Sequence, residues 1–252
     1  MLKRALILGA LVALLAAGTA SALRIQLGNL VMEIDGDFAP KALPANRDAP
    51  IMAQGSARIA TADGSLPPTL KRMVLEFDRH GHVQTRGIPP CSFRRLNDTV
   101  TKDARRACGR AIVGQGMGRA VVKFPDQAPI PATAPLTLFS GPRVGGDPTI
   151  FAHAYMTVPA PTTYVVPIRI RDIRKGRYGY QTVINFPEIA GGHGIPLAGK
   201  IRVGKKWKFK GRNLSYLNAS CVGGRLQARG FFSFDDRSEL QGTLFNRCRV
   251  RR

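Results

Sequence analysis

The chain has 252 residues, of which 38 are Lys or Arg and 16 are Asp or Glu, giving a formal net charge of +22. None of its four cysteines forms a C-x-x-C pair, which excludes a zinc ribbon and a thioredoxin-type redox site. So basic a balance favours polyanions such as nucleic acid, anionic head groups or acidic polymers, and it raises association rates without fixing a fold.

The chain opens with Lys3 and Arg4, an apolar run from Ala5 to Ala17, and the A-x-A pattern Ala20-Ser21-Ala22. This is the layout of an export signal cleaved before Leu23, and the run is too short to span a bilayer comfortably. Losing Lys3 and Arg4 with the leader lowers the formal charge to +20. From 23 to 54 the signals are weak: a strand near Leu27 to Ile34, the turn Asp35-Gly36-Asp37, then prolines at 40, 44 and 50. The expected organisation is a signal peptide at 1-22, an irregular N-terminal arm at 23-54 and a disulfide-stapled β-domain at 55-252.

That domain begins with a strand from Ser56 to Thr61, a hairpin turn at Asp63-Gly64, and an alternating strand carrying Met73, Leu75 and Phe77. Leu96, Val100, Ala104, Ala107 and Cys108 then fall on one stripe of a short helix. Asn97 or Asp98 is the expected N-cap, Arg105 and Arg106 suit the negative end of the helix dipole, and Gly109 suits a left-handed C′ position. A Cys91–Cys108 bridge would staple this helix to its Pro89-Pro90 lead-in, stabilising the fold by roughly 3 kcal/mol in the chain-entropy model. After Gly109 the period becomes two, and Gly114, Gly116 and Gly118 share a face with Ile112, Ala120, Val122 and Phe124. Three positions without side chains on one face require a very close neighbour. A phosphate-binding loop is excluded because the helix precedes the glycines instead of following them.

Prolines at 125, 129, 131 and 135 predict an extended connection into a short strand from Leu136 to Phe139. The strand from Thr149 to Val158 is apolar on both faces, so both should be covered. In the next strand, Thr163 to Arg171, Pro167 requires an edge or a bulge. Tyr180 to Phe186 is followed by a glycine-rich loop, then by the clearest alternation in the chain. Over Lys200 to Arg212, cations occupy even positions, while Ile201, Val203, Trp207 and Phe209 occupy odd ones. Strands from Leu214 to Cys221, Leu226 to Phe234 and Leu240 to Val250 close the chain, with Cys221–Cys248 as the second expected bridge. The fold class is all-β, a β-sandwich or related β-barrel, with one short helix and two disulfides.

Lys200, Arg202, Lys206, Lys208, Lys210 and Arg212 form the leading candidate site, a basic strand face for an anionic polymer or an anionic membrane surface. The aromatics point to the other face, which argues against reading single-stranded nucleic acid by stacking, and no sequence-specific nucleic-acid recognition is expected. An edge strand armoured with lysine against aggregation accounts for the same residues without a ligand. Phe151, His153 and Tyr155 share one strand face and form a second candidate, a pocket for a hydrophobic ligand carried between sheets. Asp78, His80 and His82 lie at strand spacing, although Gly81 makes a turn an equal explanation. Neither G-x-S-x-G nor H-E-x-x-H occurs, so no catalytic residue, metal or cofactor is assigned. A secreted hydrolase without a recognisable motif, using His193, stays open as an alternative.

The segments GIPPC, ARRACGRAIVGQG, LTLFSG, SYLNASC and RLQARGFFSF resemble uncharacterised secreted β-rich proteins of GC-rich actinobacteria. That resemblance implies a secreted or cell-envelope location and carries no catalytic residue. Taken together, the expectation is a non-enzymatic envelope protein that binds an anionic polymer or surface.

Overall fold

The computed structural model describes residues 22–251, so the expected leader up to Ser21 lies outside them. The first half runs β1 (Leu23–Leu27), β2 (Leu30–Ala39), β3 (Ala42–Leu43), β4 (Ala49–Thr61), β5 (Leu70–Asp78), β6 (Gly81–Val83), α1 (Phe93–Leu96), α2 (Thr101–Cys108), β7 (Ile112–Val122) and β8 (Ile130–Ser140). The second half runs β9 (Thr149–Met156), β10 (Thr162–Lys175), β11 (Tyr178–Asn185), β12 (Gly194–Val203), β13 (Lys206–Phe209), β14 (Arg212–Ser215), β15 (Leu217–Ala219), β16 (Arg225–Phe234), β17 (Glu239–Arg247) and β18 (Arg249–Val250). A single antiparallel path β1-β2-β4-β12-β7-β8-β9-β10-β11-β5-β16-β17 wraps almost into a closed barrel. The two ends of the path meet by side-chain packing: Leu23 and Ile25 of β1 lie over Gly242 of β17 so closely that an added Cβ there would sit 2.4 Å from Leu23. Both expected disulfides form, Cys91–Cys108 with Cα atoms 5.7 Å apart and Cys221–Cys248 with 5.9 Å.

Alternation fills the barrel from one face of each strand. Met32 and Phe232 anchor one interior layer with Leu30, Ile59, Leu70, Phe234 and Leu240. A second layer gathers Ile88, Val113, Leu138, Ile150, Ile170 and Tyr216. Burial of each of these large side chains contributes roughly 1.5–3 kcal/mol. A third cluster surrounds the Cys221–Cys248 bridge, where Phe38, Leu43, Ala49 and Leu226 tie β2 and β4 to the C-terminal strands. Outside the barrel, Leu96, Ala104 and Cys108 pack the helical hairpin onto Phe139 and Phe151. The strand Thr149–Met156 is therefore covered on both faces, as its two-sided apolar pattern requires.

Several expectations need correction. The stretch 23-54 is no irregular arm: β1, β2 and the start of β4 are full barrel strands, with β2 paired to β4 over ten residues from Leu30↔Thr61 to Ala39↔Met52. The turn at Asp63-Gly64 joins no hairpin, because β4 pairs with β2 and β12 while β5 pairs with β11 and β16. The expected single helix is two, broken at Asn97 to Val100, where Asp98 takes a φ of 55°. Val100 caps the second helix, and Gly109 stays right-handed to continue into a 3-10 turn over Gly109–Ala111. The segment read as a connection after Phe124 is strand from Ile130, with Pro131 and Pro135 in β8 opposite Val121 and Met117. These prolines are tolerated because β9 pairs only with Leu136 to Ser140, which leaves their other side free. Pro167 fits in the same way, lying beyond the β10–β11 ladder, which starts at Arg169↔Val183. The glycine-rich loop is shorter than expected, since β12 already begins at Gly194.

The glycine face of β7 does have its close neighbour, the backbone of β12. A Cβ on Gly116 would lie 2.2 Å from the Lys200 carbonyl oxygen, and one on Gly114 would lie 2.6 Å from that of Arg202. At Gly118 the nearest atom would be 3.9 Å away. Gly116→Ala is therefore expected to cost about 1–3 kcal/mol through forced backbone displacement, whereas Gly118→Ala should be neutral or slightly stabilising. Denaturant midpoints of the two variants measure the difference, and equal midpoints would refute the close approach.

Candidate anion-binding groove

The sequence places Lys200 and Arg202 on the outer face of β12, and the registers of its neighbours determine what stands beside them. Lys200 faces Ser56 on β4 and Met117 on β7; Arg202 faces Gln54 and Gln115. One step along the strands, the row runs Arg24, Glu33, Arg58, Ala198 and Arg119 across β1, β2, β4, β12 and β7. Small side chains at Ser56 and Ala198, together with a bulge between Pro196 and Ala198, leave this part of the outer wall hollow. The result is two adjoining depressions of about 620 and 450 Å³ that share Asp35, Ser56, Met117 and Lys200.

Charge in the hollow is unbalanced. Arg24, Arg58, Arg105, Arg119, Lys200 and Arg202 line it against the carboxylates Glu33 and Asp35. Among the described residues, no ion pair engages Arg58, Arg119 or Lys200; Arg24 and Glu33 approach only to 3.9 Å on an exposed surface, a contact of little energy. Arg105 comes from α2, which the Cys91–Cys108 bridge and the buried Ala104 hold against the barrel. Its Nε donates to Thr137 Oγ1 at 3.1 Å, fixing the guanidinium at the end of the groove.

Lys206, Lys208, Lys210 and Arg212 are not on the same strand as Lys200 and Arg202, as their alternation predicts. Gly204, with a φ of 155°, ends β12, and the chain re-forms as the separate β13–β14 ribbon. Lys210 and Gly211, both with positive φ, make its two-residue turn, which puts Arg212 opposite Phe209 on the aromatic side. Lys206 and Lys208 keep the exposed face, while Trp207 Nε1 donates to the Arg86 carbonyl oxygen at 3.1 Å. Lys205 Nζ donates to the Arg110 carbonyl oxygen; burial, then the nearby Arg110 charge, holds its pKa below the ordinary lysine value.

The second candidate lies elsewhere. Phe151 and His153 face outward beneath the helical hairpin, with Tyr155 half-buried beyond them on the same strand. His153 is fully buried, and its Nε2 donates to the Thr99 carbonyl oxygen at 2.7 Å, an acceptor shared with the Thr163 hydroxyl. The volume assigned to a ligand is thus occupied by the chain's own helices. Asp78 and His80 do meet, with Nδ1 2.7 Å from Oδ1, but His82 turns away to Tyr180 and Asp48. Among the described residues, no group of three or more metal-ligating side chains is present. His193 packs at a tilt against Phe124, with ring centres 4.9 Å apart.

Three carboxylates on other parts of the fold are paired with arginines. Arg177 Nε donates to Asp78 Oδ2 at 2.7 Å, Arg229 Nε to Glu76 Oε2 at 3.0 Å, and Arg169 Nε to Asp147 Oδ2 at 2.7 Å. Gln181 Nε2 adds a bond to Glu76 Oε1.

Burial holds the His153 pKa below the ordinary histidine value, against a smaller opposing effect of its bond to Thr99. The unfolded chain therefore binds this proton more readily, so stability should fall as pH drops below about 6.5 toward the folded-state value, and should be unaffected above it. Denaturant midpoints between pH 5 and 8 for the native protein and His153→Gln, which keeps a donor for Thr99, isolate this contribution. The gap between the two should close or reverse in the acid range, and a constant gap would refute the assignment.

No helix among the described residues is long and apolar enough to cross a membrane, and the two disulfides belong to an oxidising compartment. No family model matches the chain, and no curated protein matches it.

Proposed function

We propose that this is an exported, non-enzymatic protein of the cell envelope that binds an anionic polymer along the outer groove of strands β2, β4, β12 and β7. The observation that carries this reading is the excess of six cations over two carboxylates in one hollow, where among the described residues only Arg24 approaches a carboxylate and Arg58, Arg119 and Lys200 make neither an ion pair nor a side-chain hydrogen bond. Unpaired cations in a concavity concentrate field lines and attract polyanions. Lys206 and Lys208 lie past Gly204 on the separate β13–β14 ribbon and line neither depression, so they add to the basic surface without forming its centre. The leader and the disulfides support export.

Immobilised heparin at low ionic strength tests the reading. The double variant Lys200→Glu/Arg202→Glu should elute at markedly lower salt than the native protein. Lys206→Glu/Lys208→Glu should shift elution less, and Lys71→Glu/Arg72→Glu on β5 should shift it least. Equal shifts for all three pairs would mean that net charge alone binds heparin, and the groove would lose its role. With a nucleic acid in place of heparin, every phosphate that a variant no longer neutralises should lower the salt-dependence slope by about 0.7–0.9.

A further inference from the structure

Resting on that reading, we infer that the groove is built for one class of anionic polymer, a chain of small polyols joined by phosphodiesters. Three features of the wall distinguish this class from other polyanions. Lys200 and Arg202 lie two residues apart on β12, a step of roughly 6.6–6.8 Å along a strand face, and Arg119 stands one row further on, displaced to the neighbouring strand β7. A phosphodiester repeat with a three-carbon spacer matches that step, whereas inorganic polyphosphate places its charges far more densely. No aromatic side chain lines either depression, so a nucleic-acid strand would find no surface on which to stack its bases.

The third feature is the opposite wall. Asp35 is half-buried and has no ion pair or side-chain hydrogen bond among the described residues, and Glu33 stands two residues away on the same face of β2. Carboxylates beside a polyanion repel it unless the ligand also brings donors. A polyol phosphate brings hydroxyl groups between its charges, and an aminoacyl-esterified one brings ammonium groups. Ser56 and Gln54, on β4 between the acidic and the basic wall, add neutral partners for the same hydroxyls.

Isothermal titration with three probes of matched phosphate number tests this: poly(glycerol phosphate), inorganic polyphosphate and oligo-dT. Poly(glycerol phosphate) should bind the native protein most tightly. Asp35→Asn should weaken poly(glycerol phosphate) roughly five- to tenfold by removing a charged acceptor, while strengthening polyphosphate by removing a repulsion. Lys200→Glu/Arg202→Glu should weaken all three probes. If polyphosphate or oligo-dT binds as tightly, or if Asp35→Asn strengthens every probe, the assignment to polyol phosphates is overturned while polyanion binding stands. If no probe binds the native protein at low salt, the proposed function itself fails.

Discussion

The constraint on which the rest of the structure depends is the approach of the β12 backbone to the glycines of β7. With no side chain at Gly114 or Gly116, the carbonyl oxygens of Arg202 and Lys200 come closer to those positions than any Cβ would allow. The tight pairing carries β12 between β4 and β7, although β12 lies more than seventy residues after β7 in sequence. That crossover lets a strand from the second half of the chain join strands from the first half, so the barrel wraps almost to closure. It also sets Lys200 and Arg202 beside Arg58 and Arg119, which no local segment could do. Backbone proximity on the inner face and charge accumulation on the outer face are two consequences of one ladder.

Local structure was largely legible from the residues. Cys108 follows the helix stripe inward, and both nearest-neighbour disulfides form, because each pairs cysteines whose neighbours already pack together. Strand periodicity located Leu70 to Asp78, Thr149 to Met156 and Arg225 to Phe234 within a few residues. What alternation cannot encode is register between distant strands, so nothing in their own segments marks Arg58 and Arg119 as neighbours of Lys200 and Arg202. Parity also misled over Lys200 to Arg212, where it survives a break at Gly204 that moves the second half of the pattern to another sheet. A glycine in the middle of an alternating run was the available signal. Of the early strands only the one near Leu27 to Ile34, part of β2, was expected, because prolines at 40, 44 and 50 resemble a connector, although Pro50 sits inside β4 and pairs there with Asn218.

The helical hairpin shows how one covalent link serves both stability and the groove. Cys91 and Cys108 close a short loop, and the two sulfurs lie within the same buried cluster as Leu96 and Ala104. This fixes the roll of α2, so Arg105 leaves the side of the helix that faces the end of the groove, where Thr137 orients it. Holding a guanidinium in advance removes part of the side-chain entropy that binding would otherwise cost. The same hairpin fills the space over Phe151 and His153, two residues of the strand face whose composition suggests a ligand pocket.

The contrast between the two sides of the barrel gives the charge imbalance its meaning. On β5, β16 and the turn leading into β11 the fold places Asp78 and Glu76 within hydrogen-bond reach of Arg177 and Arg229, and both carboxylates are almost completely buried. Leaving either charge without its partner would cost several kcal/mol, so pairing there is a requirement of folding. The groove face is solvated, and folding makes no such demand on it. Clustering Arg58, Arg119, Lys200 and Arg202 in a hollow adds like-charge repulsion that a dispersed surface would avoid. Acids were available on the adjoining strand, yet Asp37 pairs with Lys41 and Asp35 pairs with no side chain among the described residues. The barrel thus pairs Asp78 and Glu76 where burial demands it, and leaves Arg58, Arg119 and Lys200 without an ion pair in a solvated concavity, where folding alone does not require a partner.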